Sequence, residues 1–542
     1  MAGRSRRLKV LYFKVWRFNI PYFKVRPQAE QHMSENIIDD DGAGESLTAE
    51  AFLDCAAQLA ESIDDLEGSS EVFSLVAGGY AEAGLTDAAV GAAEMIDDPY
   101  LRDQTFVNIA ARCVELKDAD FAGEILELIE DENLHALARE QMAVKYAEAG
   151  ELENALEVAR SLSDSAPALG AIALACAGKG SFTRAVELAR AIEYADLKAP
   201  VLCQLAARAE REGRKPEAAE LLLESTVAAE GIELTQDRIN CLVEIAALYQ
   251  ELGEEERAGQ LLSLALGLCD EYEGAAYVGL GQTFARDSAL GQIAASMAHL
   301  QRYDEADAII ERIEDAFQFA SALVGVALEY QRAGHTEQAL ALLAQAAELG
   351  REEEVRGEQD MVVRDRLLAE LANGYATAAH YEEALELAGT ISSEERRHAA
   401  LTEIAKLSVR AGNNGLPFQL AELFREPFAA ARYWIQSSDA FVAAEQAELA
   451  NRALAHALVS ADGVSGPYRK ALALMEIAPR LARTGQPERA SEILFQALNS
   501  ITLIDSHYHQ ARALISLAVK YGEAGREPGQ REEQVLQEMI QE

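Results

Sequence analysis

The residues that could do chemistry are scattered along the chain and form no catalytic or metal-binding pattern. His507 and His509 are the closest pair of histidines, but two residues apart on a helix they diverge by about 200° and could not share one metal ion. The six cysteines lie 27 to 63 residues apart and include no CxxC pair, so we expect neither a disulfide framework nor a zinc site. The GxxxxGKS/T, GxSxG and HExxH motifs are also missing from the sequence. The sequence therefore predicts no enzyme, no cofactor and no metal.

The composition is strongly acidic and poor in aromatic residues. Asp and Glu number 91 against 48 Lys and Arg, which gives a net charge of −43. Because phosphate binding depends on clustered cations, this balance argues against a nucleic-acid partner. No apolar run approaches the roughly 20 residues that a transmembrane helix needs. We expect a cytoplasmic protein.

Short phrases such as Tyr330-Gln-Arg-Ala-Gly334 recur along the chain and reveal an internal repeat. When the last residue of this phrase is taken as a turn, the base spacing between turns is 33 residues, and several longer units add about 7 residues, which is roughly two helical turns. The equivalent turn positions are Gly84, Lys117, Gly150, Gly180, Gly213, Gly253, Gln301, Gly334, Ala379, Gly412, Glu445, Gly485 and Gly525.

Two columns of small residues flank these turns and predict a pair of helices in each unit. Alanine recurs seven residues before the turn, as at Ala77 and Ala246, and again five residues after it, as at Ala89 and Ala258. Small side chains on both sides of a tight turn allow two helices to pack closely. We therefore expect each unit to be a helix A, a turn with a left-handed cap residue, and a helix B. The Ser392-x-x-Glu395 spacing further predicts a capping box.

The spacing of Tyr330, Gly334, Ala339 and Ala346 resembles that of the tetratricopeptide (TPR) motif. The resemblance extends over residues 48 to 527, although the period is 33 or about 40 residues instead of 34, and the first-helix Trp is mostly missing. It implies an all-α fold, namely a right-handed α-solenoid of about thirteen antiparallel helix-turn-helix repeats.

The ends of the chain differ from the repeats, so that three segments are predicted. Residues 1–45 form a basic aromatic arm with an acidic linker, residues 46–527 form the TPR-like solenoid, and residues 528–542 form a polar C-terminal capping helix. An extra leading helix is expected from residue 48 to about 63. Pro479, which falls inside a helix A, predicts a local kink.

A column of mostly polar residues lies nine residues before the turns and next to the apolar stripe of helix A. In TPR proteins the equivalent position lines the concave face, so the resemblance implies a strip that binds a partner protein or peptide. Amide and carboxylate groups there would favour an extended or basic peptide. The other interpretation is a row of solvated residues that bind nothing in particular. The predicted binding residues are Asn108, Gln141, Gln204, Glu244, Gln292, Glu370, Glu403, Gln436, Glu476 and Ser516.

Residues 1–27 carry a charge of +8, so the rest of the chain carries −51 within the total of −43. Tyr12-Phe-Lys-Val15 recurs as Tyr22-Phe-Lys-Val25, with Trp16 and Phe18 between them. Three interpretations stay open. In the first, translation starts at Met33 and the arm is absent from the native protein. In the second, the arm contacts an anionic membrane. In the third, it docks on the acidic body of a neighbouring copy.

Taken together, the sequence predicts a non-enzymatic protein-protein interaction scaffold that holds a peptide or helical segment in its concave groove. The alternative is a self-associating structural protomer that forms oligomers or filaments. The identity of the partner is left open, and membrane contact is expected only through residues 1–27.

Overall fold

The computed structural model describes residues 50–272, 280–352 and 358–541, and within these ranges every regular element is helical. The arm and linker predicted for residues 1–45 lie outside the described residues. The α-helices in chain order are α1 Glu50–Glu61, α2 Leu66–Glu82, α3 Thr86–Glu94, α4 Pro99–Glu115, α5 Ala119–Leu126, α6 Glu132–Ala149, α7 Leu152–Arg160, α8 Ala166–Gly178, α9 Phe182–Ala191, α10 Ala195–Arg211, α11 Lys215–Ala229, α12 Thr235–Leu252, α13 Glu255–Tyr272, α14 Leu280–His299, α15 Tyr303–Ile310, α16 Ala316–Arg332, α17 Thr336–Glu352, α18 Glu358–Thr377, α19 Tyr381–Thr390, α20 Glu394–Arg410, α21 Leu416–Leu420, α22 Pro427–Ala443, α23 Ala447–Asp462, α24 Pro467–Arg483, α25 Pro487–Ile501, α26 His507–Glu523 and α27 Gln530–Gln541.

The predicted all-α repeat array is confirmed, and its units follow the register read from the sequence. The even-numbered helices α2 to α26 are the A helices, and the odd-numbered helices α3 to α25 are the B helices. All thirteen predicted turn positions have a positive φ, between 59° at Glu445 and 88° at Gly150. Nine of them are glycine, for which this left-handed conformation carries no steric cost. The right-handed sense of the array stays a prediction.

The extra residues of the long units lie in their B helices. In three of the 33-residue units the B helices α3, α5 and α15 have 8 or 9 residues. The B helices of the lengthened units have 15 to 18 residues. The prediction that the additional residues amount to about two helical turns is confirmed.

The A helices form the tighter of two layers. Each A helix contacts the A helices of both neighbouring units, whereas consecutive B helices share no comparable contact among the described residues. The array therefore curves towards its A helices, which form its inner wall. The two alanine columns lie where A meets B: Ala77 and Ala246 on the A side, and Ala89 and Ala258 on the B side, are fully buried.

The array closes on itself, which the sequence did not predict. The predicted leading helix is α1, and it packs against α26, the last A helix, as extensively as a B helix packs on its own A helix. It also contacts α2, and α26 contacts α2 directly. Phe52 of α1, fully buried, stacks on Tyr521 of α26 with ring centroids 5.3 Å apart. The first helix of the chain thus serves as helix B of the thirteenth unit.

The predicted C-terminal helix is present as α27 and packs on α1 and α25, on the outside of this closure. Leu536 is buried there, and Glu532 is buried beside Tyr521, whose hydroxyl donates a hydrogen bond to Glu532 Oε1 at 3.3 Å. Pro479 lies inside α24, which runs unbroken from Pro467 to Arg483. The kink expected at this proline stays a prediction.

Buried aspartates fix the junctions between three pairs of units. Asp103, Asp287 and Asp365 each accept two backbone N–H hydrogen bonds from the residues that precede the next A helix, at 2.8 to 3.0 Å. The capping box predicted at Ser392 is wrong, because Arg396, and not Glu, lies three residues after the N-cap. The N–H of Ser392 bonds to Asp365, and Ser393 is the N-cap residue whose hydroxyl accepts from the Arg396 N–H.

Candidate functional site

The predicted binding column lies along one face of the A helices. All ten residues are on A helices and none is buried. Asn108, Gln204, Glu244 and Gln292 are exposed, and the other six are half-buried. The position is set by the helical repeat, since the residues on either side of it pack into the apolar core. Binding by these residues stays a prediction.

Three carboxylates of this column are engaged with neighbouring side chains. Glu370 accepts a hydrogen bond from the Ser321 hydroxyl at 2.7 Å and another from Arg366 at 3.1 Å. Glu403 pairs with Lys406 at 3.3 Å. Glu476 contacts Arg480 at 2.9 Å and Lys520 of the next A helix at 3.0 Å. In the C-terminal half the column is therefore part of the contact between A helices, and a partner would meet paired charges there.

Cations five residues before the turn link consecutive A helices. Each of the five reaches back to the preceding A helix: Arg112 Nη2 to the Glu82 carbonyl at 3.1 Å, Lys145 to Glu115 at 2.5 Å, Arg208 to the Gly178 carbonyl at 3.4 Å, Arg480 to Asp439 at 2.9 Å, and Lys520 to Glu476 at 3.0 Å. These bonds run across the exposed side of the inner wall. They hold neighbouring units in register on the face where a partner would bind.

The ion pairs also set the ionisation of the carboxylates. Burial alone would raise the pKa of Glu476, but the neighbouring Lys520 ammonium and Arg480 guanidinium outweigh it and lower the pKa. The pKa of Glu115 is lowered in the same way, because Lys145 and Arg112 outweigh the effect of burial. Both side chains are therefore charged at neutral pH.

We call the positions two, five, nine and thirteen residues before each turn the inner stripe. Together they form one face of helix A, and they carry twelve cations against eleven acids in a chain with a net charge of −43. The cations are Arg112, Lys145, Arg208, Arg211, Arg332, Arg366, Arg410, Arg432, Arg480, Arg483, Arg512 and Lys520. The acids are Glu71, Glu82, Glu115, Glu148, Glu244, Glu251, Glu329, Glu370, Glu403, Glu476 and Glu523.

Only one of these four positions, nine residues before the turn, is among those predicted from the sequence. The signal that could have found the others is the recurrence of Arg or Lys five residues before the turn and of charged residues two residues before it. Because a helix repeats every 3.6 residues, positions spaced by four, four and three residues share one face. The charge balance of the inner wall was therefore readable once the register was known.

A depression in the inner wall lies between α18 and α20. Its volume is about 470 Å³, and small side chains such as Ala369, Ala399 and Ala400 form part of its lining, while Glu403 is the one predicted binding residue that borders it. The Oδ1 atom of Asn373, which also lines the depression, is buried and has no hydrogen-bond partner among the described residues. The depression thus offers space beside a polar atom that can accept a hydrogen bond.

The cysteines are small core residues, as the sequence suggested. All six are buried free thiols. Burial raises the pKa of Cys55 to about 12 and that of Cys113 to about 11, so both thiols are protonated at neutral pH. Among the described residues no three His, Cys, Asp or Glu side chains are grouped as metal ligands would be, and no helix is long and apolar enough to span a bilayer.

Solved structures that resemble the chain are helical-repeat proteins. A signal transduction ATPase of Pyrococcus horikoshii with a tetratricopeptide repeat sensor is 13% identical, with 84% of this chain and 72% of that chain covered and a TM-score of 0.24. The apo quorum sensor NprR of B. thuringiensis is 13% identical over 66% of this chain and 97% of that chain, with a TM-score of 0.25. A circular tandem repeat protein is 15% identical over 91% of this chain and 94% of that chain, with a TM-score of 0.16.

This likeness concerns the fold alone. No protein-family model matches the sequence, and no curated protein sequence matches it.

Proposed function

We propose that the protein is a non-enzymatic scaffold that binds an extended or helical segment of another protein against its inner wall. The observation that carries this proposal is the near-neutral inner stripe within a strongly acidic chain. An acidic outer surface keeps a protein soluble and repels acidic partners. Alternating charges and exposed amides on the inner wall favour instead a segment that offers both backbone hydrogen-bonding groups and mixed charges.

The size of the closed array supports a segment as the partner. Thirteen A helices spaced about 9 Å apart on a circle give a diameter of roughly 37 Å between opposite helix axes, and an opening of roughly 25 Å once the helices' own width is subtracted. A single helix, about 10–12 Å wide, fits this opening. A folded domain of 100 residues, with a radius of gyration near 13 Å and a diameter of roughly 34 Å, does not. The partner therefore enters with a chain end or a narrow loop.

The depression between α18 and α20 gives the bound segment an anchoring point. Its three alanines leave room for one large side chain, and Arg366, which is 63% exposed at its side chain, borders the same space. An apolar side chain seated between small residues with charged groups at the rim is a common arrangement at protein interfaces.

The test uses three exposed residues on consecutive A helices, namely Gln204, Glu244 and Gln292. None of them makes a hydrogen bond or ion pair to another described residue, so replacing all three with Lys changes the charge of the inner wall by +4 without breaking internal contacts. The matched control, Glu157→Lys with Glu230→Lys, makes the same charge change at two exposed sites, one on the B helix α7 and one at the C-cap of the B helix α11.

Peptides selected from a displayed random library on the full-length chain serve as probes for these variants. We expect their affinity to fall by at least about tenfold in the Gln204, Glu244 and Gln292 variant, which corresponds to about 1.4 kcal/mol, and to stay within about twofold in the control. Equal affinities for both variants, or the failure of any peptide to be enriched, would contradict binding on the inner wall.

End-to-end assembly, the basis of the alternative structural role, is not favoured. The first and last units of the described array contact each other through α1, α2 and α26, so neither presents a free terminal surface to another copy. The proposal is therefore a scaffold that acts as a single ring.

A further inference from the structure

Exposed apolar side chains recur at the edge of the array where B helices lead into A helices, and five of them lie next to the seam where the array closes. Leu503 is 70% exposed, Leu66 66%, Tyr100 60%, Met95 51% and Leu128 41%. All five lie where a B helix ends or the next A helix begins. The opposite edge, formed by the tight turns, has among the described residues only Leu116 and Val442 as exposed large apolar side chains. We call the five residues at the first edge the seam strip.

The seam strip is continuous along consecutive units. Its residues belong to the connections that lead into α26, α2, α4 and α6, and these four A helices contact one another in that order. A cavity of about 510 Å³ opens in the middle of the strip, between Ile63, Gly68 and Tyr508. Tyr508 donates a hydrogen bond to Glu71 at 2.6 Å, and Arg512 pairs with Glu71 at 3.3 Å, so the cavity lies directly over the contact between α26 and α2.

The surroundings of the seam strip are strongly negative. The four connecting segments, 62–71, 94–102, 126–132 and 502–508, contain twelve acidic residues and a single arginine, Arg102. Several of these acids are N-cap residues, as Asp65 and Asp98 are, whose carboxylates accept backbone N–H hydrogen bonds. An apolar strip with this charge fits a basic partner that carries large apolar side chains, and it does not fit an anionic membrane.

Residues 1–27 of the same chain are basic and carry large apolar side chains, as such a partner would. They lie outside the described residues, and they combine a charge of +8 with six aromatic side chains, Tyr12, Phe13, Trp16, Phe18, Tyr22 and Phe23. The 22 residues from 28 to 49 can span up to about 75 Å. The helix α1 that follows them is only about 18 Å long and ends at the seam, so the arm can reach the strip from its own chain.

We propose that residues 1–27 dock on the seam strip of their own chain and cover the junction between α26 and α2. Aromatic side chains of the arm pack on Leu66, Tyr100 and Leu503, and its Arg and Lys residues face the acidic connections. The arm thereby fastens the two ends of the array on the outside of the ring. This site is separate from the inner wall, so its test does not depend on the scaffold's partner.

Trp16 provides the measurement, because the chain has only two tryptophans and the other, Trp434, is buried and stacked on His456. Full-length Trp434→Phe protein, checked for unchanged helicity, leaves Trp16 as the only tryptophan, which is excited selectively at wavelengths that tyrosine does not absorb. We expect its quenching by acrylamide at low salt to be about threefold weaker than that of a synthetic 1–27 peptide, since the indole is packed against the strip. High salt should remove most of this protection by screening the charges.

The strip variant replaces Leu66, Tyr100 and Leu503 with Ser and should expose Trp16 at low salt. The matched control replaces Leu223, Val227 and Val459 with Ser. These three apolar residues are similarly exposed and lie on long B helices. The control should leave Trp16 protected. The proposal would be overturned if acrylamide quenched Trp16 as strongly as it quenches the free peptide. It would also be overturned if both variants changed the quenching equally. The same holds for protection that grows with protein concentration, which indicates docking on a neighbouring copy, or protection that requires added anionic vesicles.

Discussion

At the scale of single residues, the turn positions decide how the chain changes direction. Nine of the thirteen are glycine, and the pattern of spacing predicted the other four correctly although Lys117, Gln301, Ala379 and Glu445 lack glycine's freedom. An L-residue in the left-handed region costs roughly 1–2 kcal/mol. These four turns hold because the helices on both sides are packed, and they are the strained points of the array.

We predict that Ala379→Gly stabilises its unit. The substitution relieves the left-handed strain at φ 60° and costs roughly 0.5–1 kcal/mol in the unfolded chain, for a net gain of about 0.5–1 kcal/mol. Hydrogen exchange of the His380 amide, which donates to the Tyr375 carbonyl across this turn, reports the change as slower opening. The control is Ala378→Gly at the neighbouring residue, where φ is negative, and it should speed exchange. Faster exchange in the Ala379→Gly protein would contradict the prediction.

The buried aspartates show a residue-scale feature that was available in the sequence and was missed. Asp103, Asp287 and Asp365 all lie fourteen residues before a turn, and in each of these units the turn residue is not glycine. A carboxylate in an otherwise apolar column is costly unless hydrogen bonds satisfy it. Its regular position was therefore a signal for a structural hydrogen bond between units, here to the backbone N–H groups that precede the next A helix.

At the scale of the helices, lengths and faces were predictable and contacts between helices were not. Helix lengths follow from the local sequence, because two extra helical turns need about seven extra residues. The contacts of the inner stripe depend on which residues of neighbouring helices meet. Glu476, one of the predicted binding residues, joins α24 to α26 through Lys520, whereas Gln204 and Glu244 are exposed.

The Glu476 contacts predict a specific dependence of stability on pH. Its pKa is lowered in the folded protein, so its ionised form stabilises the fold at neutral pH, and this contribution is lost as pH falls from about 4.5 through the lowered pKa. Glu476→Gln should therefore lower stability by about 1 kcal/mol at pH 7, because the pairs are partly exposed. The difference in the free energy of unfolding between the Glu476→Gln protein and the unsubstituted protein should vanish in acid.

Chemical denaturation monitored by circular dichroism at pH 7 and at about pH 3.5 measures this difference. Glu492→Gln, an exposed glutamate on the neighbouring helix α25, is the matched control and should change stability at neither pH. A Glu476→Gln effect of the same size at both pH values would show that its ion pairs do not stabilise the folded state.

At the scale of the whole molecule, the closure turns a row of repeats into a ring. The sequence carried two indirect signs of it. The repeat pattern places no helix A turn before α1, and the last unit has Gln530 where eleven other units have the helix B alanine. Each of these two features is also expected at an ordinary end of a solenoid. Only the three-dimensional complementarity of the two ends, where the contacting residues Glu71 and Tyr508 lie 437 residues apart, shows that one end completes the other.

The most direct test of the ring is a distance measurement across the seam. Ser62 and Asp505 line the same cavity, and the six native cysteines are buried, so spin labels on Ser62→Cys and Asp505→Cys report this junction selectively. The closed array predicts one short, narrow distance in dilute solution. An open row of thirteen units spaced about 9 Å apart would place the labels roughly 100 Å from each other. A distribution without the short distance would contradict the closure and the ring-shaped inner wall that follows from it.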